Sequence, residues 1–277
     1  VCQGRLTLTT AVPVTTADVT GATNVFFTPY GGNRVALFGG TYWKLYTFTE
    51  RTLALGTITN DLPYDVFLFD NAGTLTLELL AWTNKTTRAT ALVLQDGVLS
   101  KSGALTRRYL GTFHTTATTT TEDSEAKRLL WNYYNRVPRS MRRQEATGNW
   151  TYSIKTWRQA NAAVANQFAF VIGVAETPVQ AWLTVEVTNS GTAATVAVSL
   201  GLDSTSAPTT GALHSGTSIT SAGVIQSVNA LYTATPAVGY HFLAWLEISA
   251  ASGTTTFRSN NDQTFTEQSG MIGTIQG

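Results

Sequence analysis

Leu183-Thr184-Val185-Glu186-Val187-Thr188 decides the fold class. Leu183, Val185 and Val187 fall on one side of an extended chain and the polar residues fall on the other, the period of a half-buried β-strand. Asn189-Ser190-Gly191 then turns the chain into a second β-rich run, Thr195 to Leu200. Further on, Tyr240-His241-Phe242-Leu243-Ala244-Trp245-Leu246-Glu247-Ile248 is apolar on both faces for most of its length. Such a strand is either covered on both sides by its own chain or meets another subunit. Ala251-Ser252-Gly253 followed by Thr254-Thr255-Thr256-Phe257 predicts a closing hairpin. Residues 147–277 therefore read as an antiparallel β-sandwich domain of jelly-roll type.

The same grammar runs through residues 1–117. Asn24 to Thr28 leads into Tyr30-Gly31-Gly32-Asn33 and then Arg34 to Phe38; Gly39-Gly40 separates that run from Thr41 to Tyr46. Tyr64 to Phe69 turns at Asp70-Asn71-Ala72-Gly73 into Thr74 to Leu79, and Ala91 to Gln95 turns at Asp96-Gly97 into Val98-Leu99. Four turn signals between β-branched and aromatic runs predict a hairpin-rich antiparallel domain. Between the halves, residues 118–146 change character. Ala126, Leu129, Leu130, Tyr133 and Val137 are spaced as on one face of a helix. Acidic Glu122, Asp123 and Glu125 precede the cations Lys127 and Arg128, with Asp123 and Lys127 spaced as an i,i+4 pair, and Pro138 stands as a stop. The pattern predicts a helical connector. The expected architecture is all-β, with two antiparallel domains joined by a short α-helix.

Composition narrows the function classes. Threonine is the commonest residue, 49 of 277, while only 13% of residues are charged and the net charge is +1. Average soluble domains carry about 25% charge. A chain solubilised by hydroxyls suits an extracellular protein or part of an assembly, and it offers no global attraction to nucleic acid or anionic membrane. The lone Cys2 allows no internal disulfide and permits a crosslink to another subunit. The start shows neither a signal-peptide pattern nor, anywhere along the chain, an apolar run long enough for membrane insertion.

Catalytic signatures are sparse. His114, His214 and His241 have no His or Cys neighbour at metal-ligand spacing, so neither zinc nor another cofactor is expected. No nucleophile elbow, phosphate loop or dinucleotide fingerprint occurs. His241 with Glu247 is the best fragment of a triad, and a structural histidine is the better reading of it. Glu122, Asp123 and Glu125 read as helix-start carboxylates rather than glycosidase acids. Arg136, Arg139, Arg142 and Arg143 form the densest charge cluster and read as a protein interface rather than a nucleic-acid patch. Tyr240, Phe242 and Trp245 join them as interface candidates. Tyr42, Trp43, Trp150 and Trp157 are candidates for stacking on a glycan.

Several stretches together resemble a broad group of tailed-bacteriophage virion proteins of tail-fibre, head-fibre and related structural type. They are Gly4 to Thr9, Pro13 to Thr23, Tyr64 to Gly73, Arg107-Arg108-Tyr109-Leu110-Gly111-Thr112-Phe113 and Lys127-Arg128-Leu129-Leu130-Trp131-Asn132-Tyr133-Tyr134-Asn135-Arg136-Val137. The likeness covers the first half and extends to the second only in style. It implies a non-enzymatic, oligomeric virion part made in the host bacterial cytoplasm: a fibre, spike or decoration subunit contributing to host attachment. The expected partners are copies of itself in a homotrimer, other virion proteins and a host surface glycan, with no nucleic acid. A carbohydrate-active enzyme (capsule depolymerase or deacetylase) and a free carbohydrate-binding module are the alternatives.

Overall fold

The alternation around Leu183 is carried through in three dimensions. Val179, Ala181, Leu183, Val185 and Val187 are buried, while Trp182 and Thr184 between them are exposed. The computed structural model describes residues 1–192, 194–259 and 268–277. The second half supplies eight principal strands: β1 (Pro138–Gln144), β2 (Gln167–Ile172), β3 (Val179–Asn189), β4 (Ala194–Leu202), β5 (Gly216–Ile219), β6 (Gln226–Ala234), β7 (Gly239–Ile248) and β8 (Gly270–Gln276). They form two sheets, one ordered β1-β8-β3-β6 and the other β2-β7-β4-β5. One core lies between the sheets. Leu183, Val185, Val228, Tyr232 and Met271 of the first meet Phe168, Phe170, Val196, Val198, Leu243 and Trp245 of the second. The strand Ala212–His214 extends the first sheet beyond β6.

The first half is also β-structured. Gly4–Thr7, Asn24–Pro29 and Arg51–Ala54 form a three-stranded sheet, and Arg34–Phe38 pairs with Trp43–Thr47. A larger sheet runs Thr74–Ala81, Pro63–Asn71, Ala104–His114, Val98–Lys101, Leu92–Gln95. Leu6, Val25, Phe27, Val35, Leu37, Val66 and Phe113 build a second core there. Three of the four expected hairpins are present. At Asp96-Gly97 both φ angles are positive, 49° and 81°, which fits a two-residue turn between twisted strands. The fourth differs: Tyr30–Asn33 is a corner, because Asn24–Pro29 pairs with Gly4–Thr7 and Arg51–Ala54 instead of Arg34–Phe38. The closing hairpin at Ala251–Gly253 is likewise a crossover, since β7 lies in one sheet and Thr255–Arg258 pairs with β3 in the other.

The connector is not a helix. Among the described residues there is one 3-10 turn, Ala160–Ala162, and no α-helix. Residues 118–146 form the short strands Thr121–Asp123, Lys127–Arg128 and Leu130–Asn132 and then β1. The helical spacing is overridden because neighbouring strands supply the backbone partners a helix would otherwise supply. Leu130-Trp131-Asn132 pairs with Gly111-Thr112-Phe113, and Lys127–Arg128 lies parallel to β2. Leu129, Leu130 and Trp131 are buried in succession, which a one-faced helix could not achieve. The acidic residues answer cations, not a helix dipole: Glu122 pairs with Lys127 at 3.0 Å, and Asp123 pairs with Arg128 and Arg139. The segment ties the halves together, because Thr121–Asp123 pairs with Val19–Ala22 and so extends the β2 sheet into the first 117 residues.

Candidate functional site

The two sheets of the second half differ on their outer faces. Ala244 and Leu246 point away from the core on β7 yet are fully buried. The chain's own 203–211 segment folds over that side, bringing the Ser204 and Ala207 carbonyls against Gly201 beside Leu246. The outer face of the β1-β8-β3-β6 sheet has no comparable cover among the described residues. One row of side chains crosses it through direct register partners: Arg142 of β1 opposite Ile272 of β8, Ile272 opposite Trp182 of β3, Trp182 opposite Leu231 of β6, and Leu231 opposite Leu213. The four apolar members are 58%, 46%, 39% and 69% exposed in that order. Alternation forces this: each sits at the outward parity of a strand whose neighbours fill the core.

The flanking rows are polar and uncharged. On one side run Ser140, Thr274, Gln180 and Thr233, and on the other Gln144, Gly270, Thr184 and Asn229. The face is concave around Trp182, Leu213, Leu231 and Ile272, with a cavity volume of about 570 Å³. His214 closes one end, with Nδ1 3.1 Å from Ser199 Oγ and the Trp157 ring edge-on at 5.4 Å. Arg142, the one charged member of the three rows, donates to Gln144 at 2.6 Å. Large apolar groups among neutral hydroxyls and amides can bury area and exclude water, and the titratable side chain at the face is His214, held by Ser199 at one end.

The four arginines singled out by the sequence do not share one surface. Arg139 is buried, donating to Asp123 at 2.8 Å and to the Thr15 carbonyl at 2.7 Å. Arg136 pairs with Glu176 at 2.7 Å and lies 5.2 Å over Trp131. Arg143 reaches Asn166 at 3.3 Å, so Arg142 alone borders the apolar row. Alternation along β1 separates them, sending Arg139 inward and Arg142 outward. Trp245 is fully buried in its own subunit, edge-on to Trp150 at 5.7 Å; two-sided cover by this chain accounts for its strand's apolar character. Tyr240 stacks on His114 at 4.1 Å, and Phe242 is half-buried beside it.

Of the glycan candidates, Trp150 is buried, with Nε1 donating to Glu247 at 2.6 Å. Trp157 adjoins His214. Tyr42 and Trp43 come together on the Arg34–Thr47 hairpin, where Tyr42 is exposed and Trp43 Nε1 donates to Asp96 at 2.9 Å. His241 and Glu247 do not form a catalytic pair. His241 Nδ1 meets Asp203 at 2.7 Å, while Glu247 also accepts from Arg158 at 2.7 Å. Burial raises the Glu247 pKa against the pull of Trp150 and Arg158. Cys2 forms a bridge with Val35, and burial raises its thiol pKa. Among the described residues, no group of three or more His, Cys, Asp and Glu side chains is placed to hold a metal ion.

Trp182, Leu213, Leu231 and Ile272 were not singled out in the sequence. The signal for Trp182 was present, since it shares the outward parity of Thr184 and Glu186 in the very stretch that decides the fold. The row itself depends on register between strands up to about ninety residues apart, which no local pattern encodes.

No family model and no curated protein matches this chain. Among solved structures it is similar to the insecticidal delta-endotoxin Cry8Ea1 from Bacillus thuringiensis at 7% identity and a TM-score of 0.29, covering 100% of this chain and 52% of that one. A Cry1Da tryptic core variant from Bacillus thuringiensis follows at 10% identity and a TM-score of 0.22, covering 92% of this chain and 48% of that one. This chain thus spans about half the length of the solved chains it matches. At those TM-scores the likeness carries no argument about fold or activity.

Proposed function

We propose that this protein is a non-enzymatic structural subunit of a tailed-phage virion, a surface fibre, spike or decoration protein assembled as a homotrimer. The observation that carries the reading is the strand order of the second half. In the order β1 to β8, one sheet runs first-eighth-third-sixth and the facing sheet second-seventh-fourth-fifth. That interleaving supports a jelly roll, an architecture found in viral capsid and lectin domains. Fold alone does not assign function, so the reading also rests on the first-half resemblance to virion proteins and on the hydroxyl-rich, charge-poor surface. The first half would anchor to neighbouring virion proteins. The adjacent Tyr42 and Trp43, one exposed and the other fixed by Asp96, suit a weak contact with a host surface glycan.

Purified particles, probed with antibody raised against the isolated protein and examined by electron microscopy and mass spectrometry, test this. Regularly placed label and stoichiometric recovery of the chain are expected. Absence of the chain from intact particles would end the virion reading. Release of reducing ends or acetate from host polysaccharide would replace it with the enzyme.

A further inference from the structure

We infer that the row Ile272–Trp182–Leu231–Leu213 is where a second copy of this chain docks. The inference deepens the oligomeric part of the reading above and commits it to one face. Four large apolar side chains aligned across four strands, none less than 39% exposed, form a continuous patch and not the scattered apolar residues of an ordinary surface.

Three observations select the occupant. First, the face has the size of a subunit interface. Five strands of 7, 7, 11, 9 and 3 residues, about 4.8 Å apart and rising about 3.3 Å per residue, give a surface on the order of 600 Å². One partner contributes about 800 Å² to a standard interface. Second, the charge pattern asks for a neutral partner. The patch and both flanking rows offer only Arg142, already engaged by Gln144, so an acidic or basic macromolecule would gain little here. The edge strand of a second copy, Ala212-Leu213-His214, holds no Asp, Glu, Lys or Arg and supplies such a neutral counterpart. Third, the row runs off the sheet at Leu213 on its edge strand. A cyclic arrangement can therefore seat the edge of each copy on the row of the next and close into a ring.

Light scattering of the full chain at micromolar concentration and neutral pH should give a defined multiple of 29.8 kDa, threefold for the expected trimer. Trp182→Asp and, separately, Ile272→Lys should weaken association at least tenfold and yield the monomer mass. Their far-ultraviolet circular dichroism should remain that of the wild type, as expected for outward positions. Tyr42→Asp, on the distant hairpin, should keep the oligomer. A monomeric wild type, or a Trp182→Asp variant that is folded and still fully oligomeric, would overturn the inference. So would neutral oligosaccharide that perturbs tryptophan fluorescence in a monomeric wild type but not in Trp182→Asp. Association lost in the variants while the chain is missing from particles would keep the docking face and remove the virion reading. A monomer recovered stoichiometrically from particles would do the reverse.

Discussion

Asp123→Asn should be among the most damaging single-atom-scale changes to this protein. The carboxylate accepts from Arg128 Nη1 at 3.0 Å and Arg139 Nη2 at 2.8 Å, and all three side chains are at most 9% exposed. Asparagine keeps the shape but removes the charge, and its amide group presents N–H to one of the two guanidinium ions. Breaking a buried ion pair from one side costs about 3–5 kcal/mol, because the partner charge stays behind without compensation. Two features hold the loss near the lower limit. Arg128 still donates to the Ser140 carbonyl at 2.6 Å, and Arg139 to the Thr15 carbonyl at 2.7 Å. A loss of about 3 kcal/mol, with a urea slope of about 3 kcal/mol per molar, moves the unfolding midpoint down by about 1 M. Arg139→Met is the control. It leaves Asp123 paired with Arg128 and should cost less, under about 2 kcal/mol. Equilibrium urea unfolding followed by tryptophan fluorescence reads both. An unchanged midpoint for Asp123→Asn would refute the reading of Arg128, Asp123 and Arg139 as a buried, mutually compensating cluster.

Burial holds the His114 ring down at about 4, against the pull of Asp61. With an unfolded pKa of about 6.5, the unfolded chain takes up the proton first, so stability falls as pH drops from about 6.5 toward 4, by about 3 kcal/mol at pH 4. The difference in urea midpoint between wild type and His114→Phe should change over that window; a flat difference would exclude the mechanism. Arg139→Gln should destabilise measurably, whereas Arg142→Gln, on the exposed face, should stay within about 0.5 kcal/mol by thermal melting. Leu130→Asp should cost on the order of 3–5 kcal/mol, because Leu130 is buried beside Phe113 in a strand, and unaltered melting would contradict that placement.

Legibility followed sequence distance. The Val179–Asn189 strand and the Asp96-Gly97 hairpin depend on neighbouring residues, and period-two alternation and positive-φ turn chemistry specify them locally. The segment around Leu129 failed for the complementary reason. Its apolar spacing matches a helix, but the partners that decide it, Gly111 to Phe113 and β2, lie elsewhere in the chain. Gly111 marks the pairing, because a Cβ there would collide with the Trp131 carbonyl. No local rule announces that this glycine waits for that strand. The arginines show the same limit. Four cations in eight residues look like one patch, yet β1 alternates Arg139 inward and Arg142 outward, and the acid that claims Arg139 sits sixteen residues earlier.

The internal use of charge explains why the outer sheet face is as neutral as it is. Arg5 donates to the carbonyls of Pro13, Asn135 and Gly277, so one N-terminal side chain fastens the end of β8. Arg139 and Asp123 fasten β1, and Arg158 with Glu247 fastens β7. Each of these guanidinium groups is engaged within its own subunit, and the rows flanking the outer apolar row are left to threonine, serine and amide side chains. A surface of that kind stays hydrated without long-range repulsion between copies, so two copies can approach closely enough for an apolar row to decide the geometry of contact. Three of the row's four residues stand on β8, β3 and β6, the middle of a sheet whose edge strand β1 is pinned by buried ion pairs. A binding surface set on paired strands keeps its shape better than one carried by loops. Rigidity and neutrality at this face therefore go together: Arg139 turns inward to Asp123 along the same strand that sends Arg142 outward, so one cation alone is left beside the row.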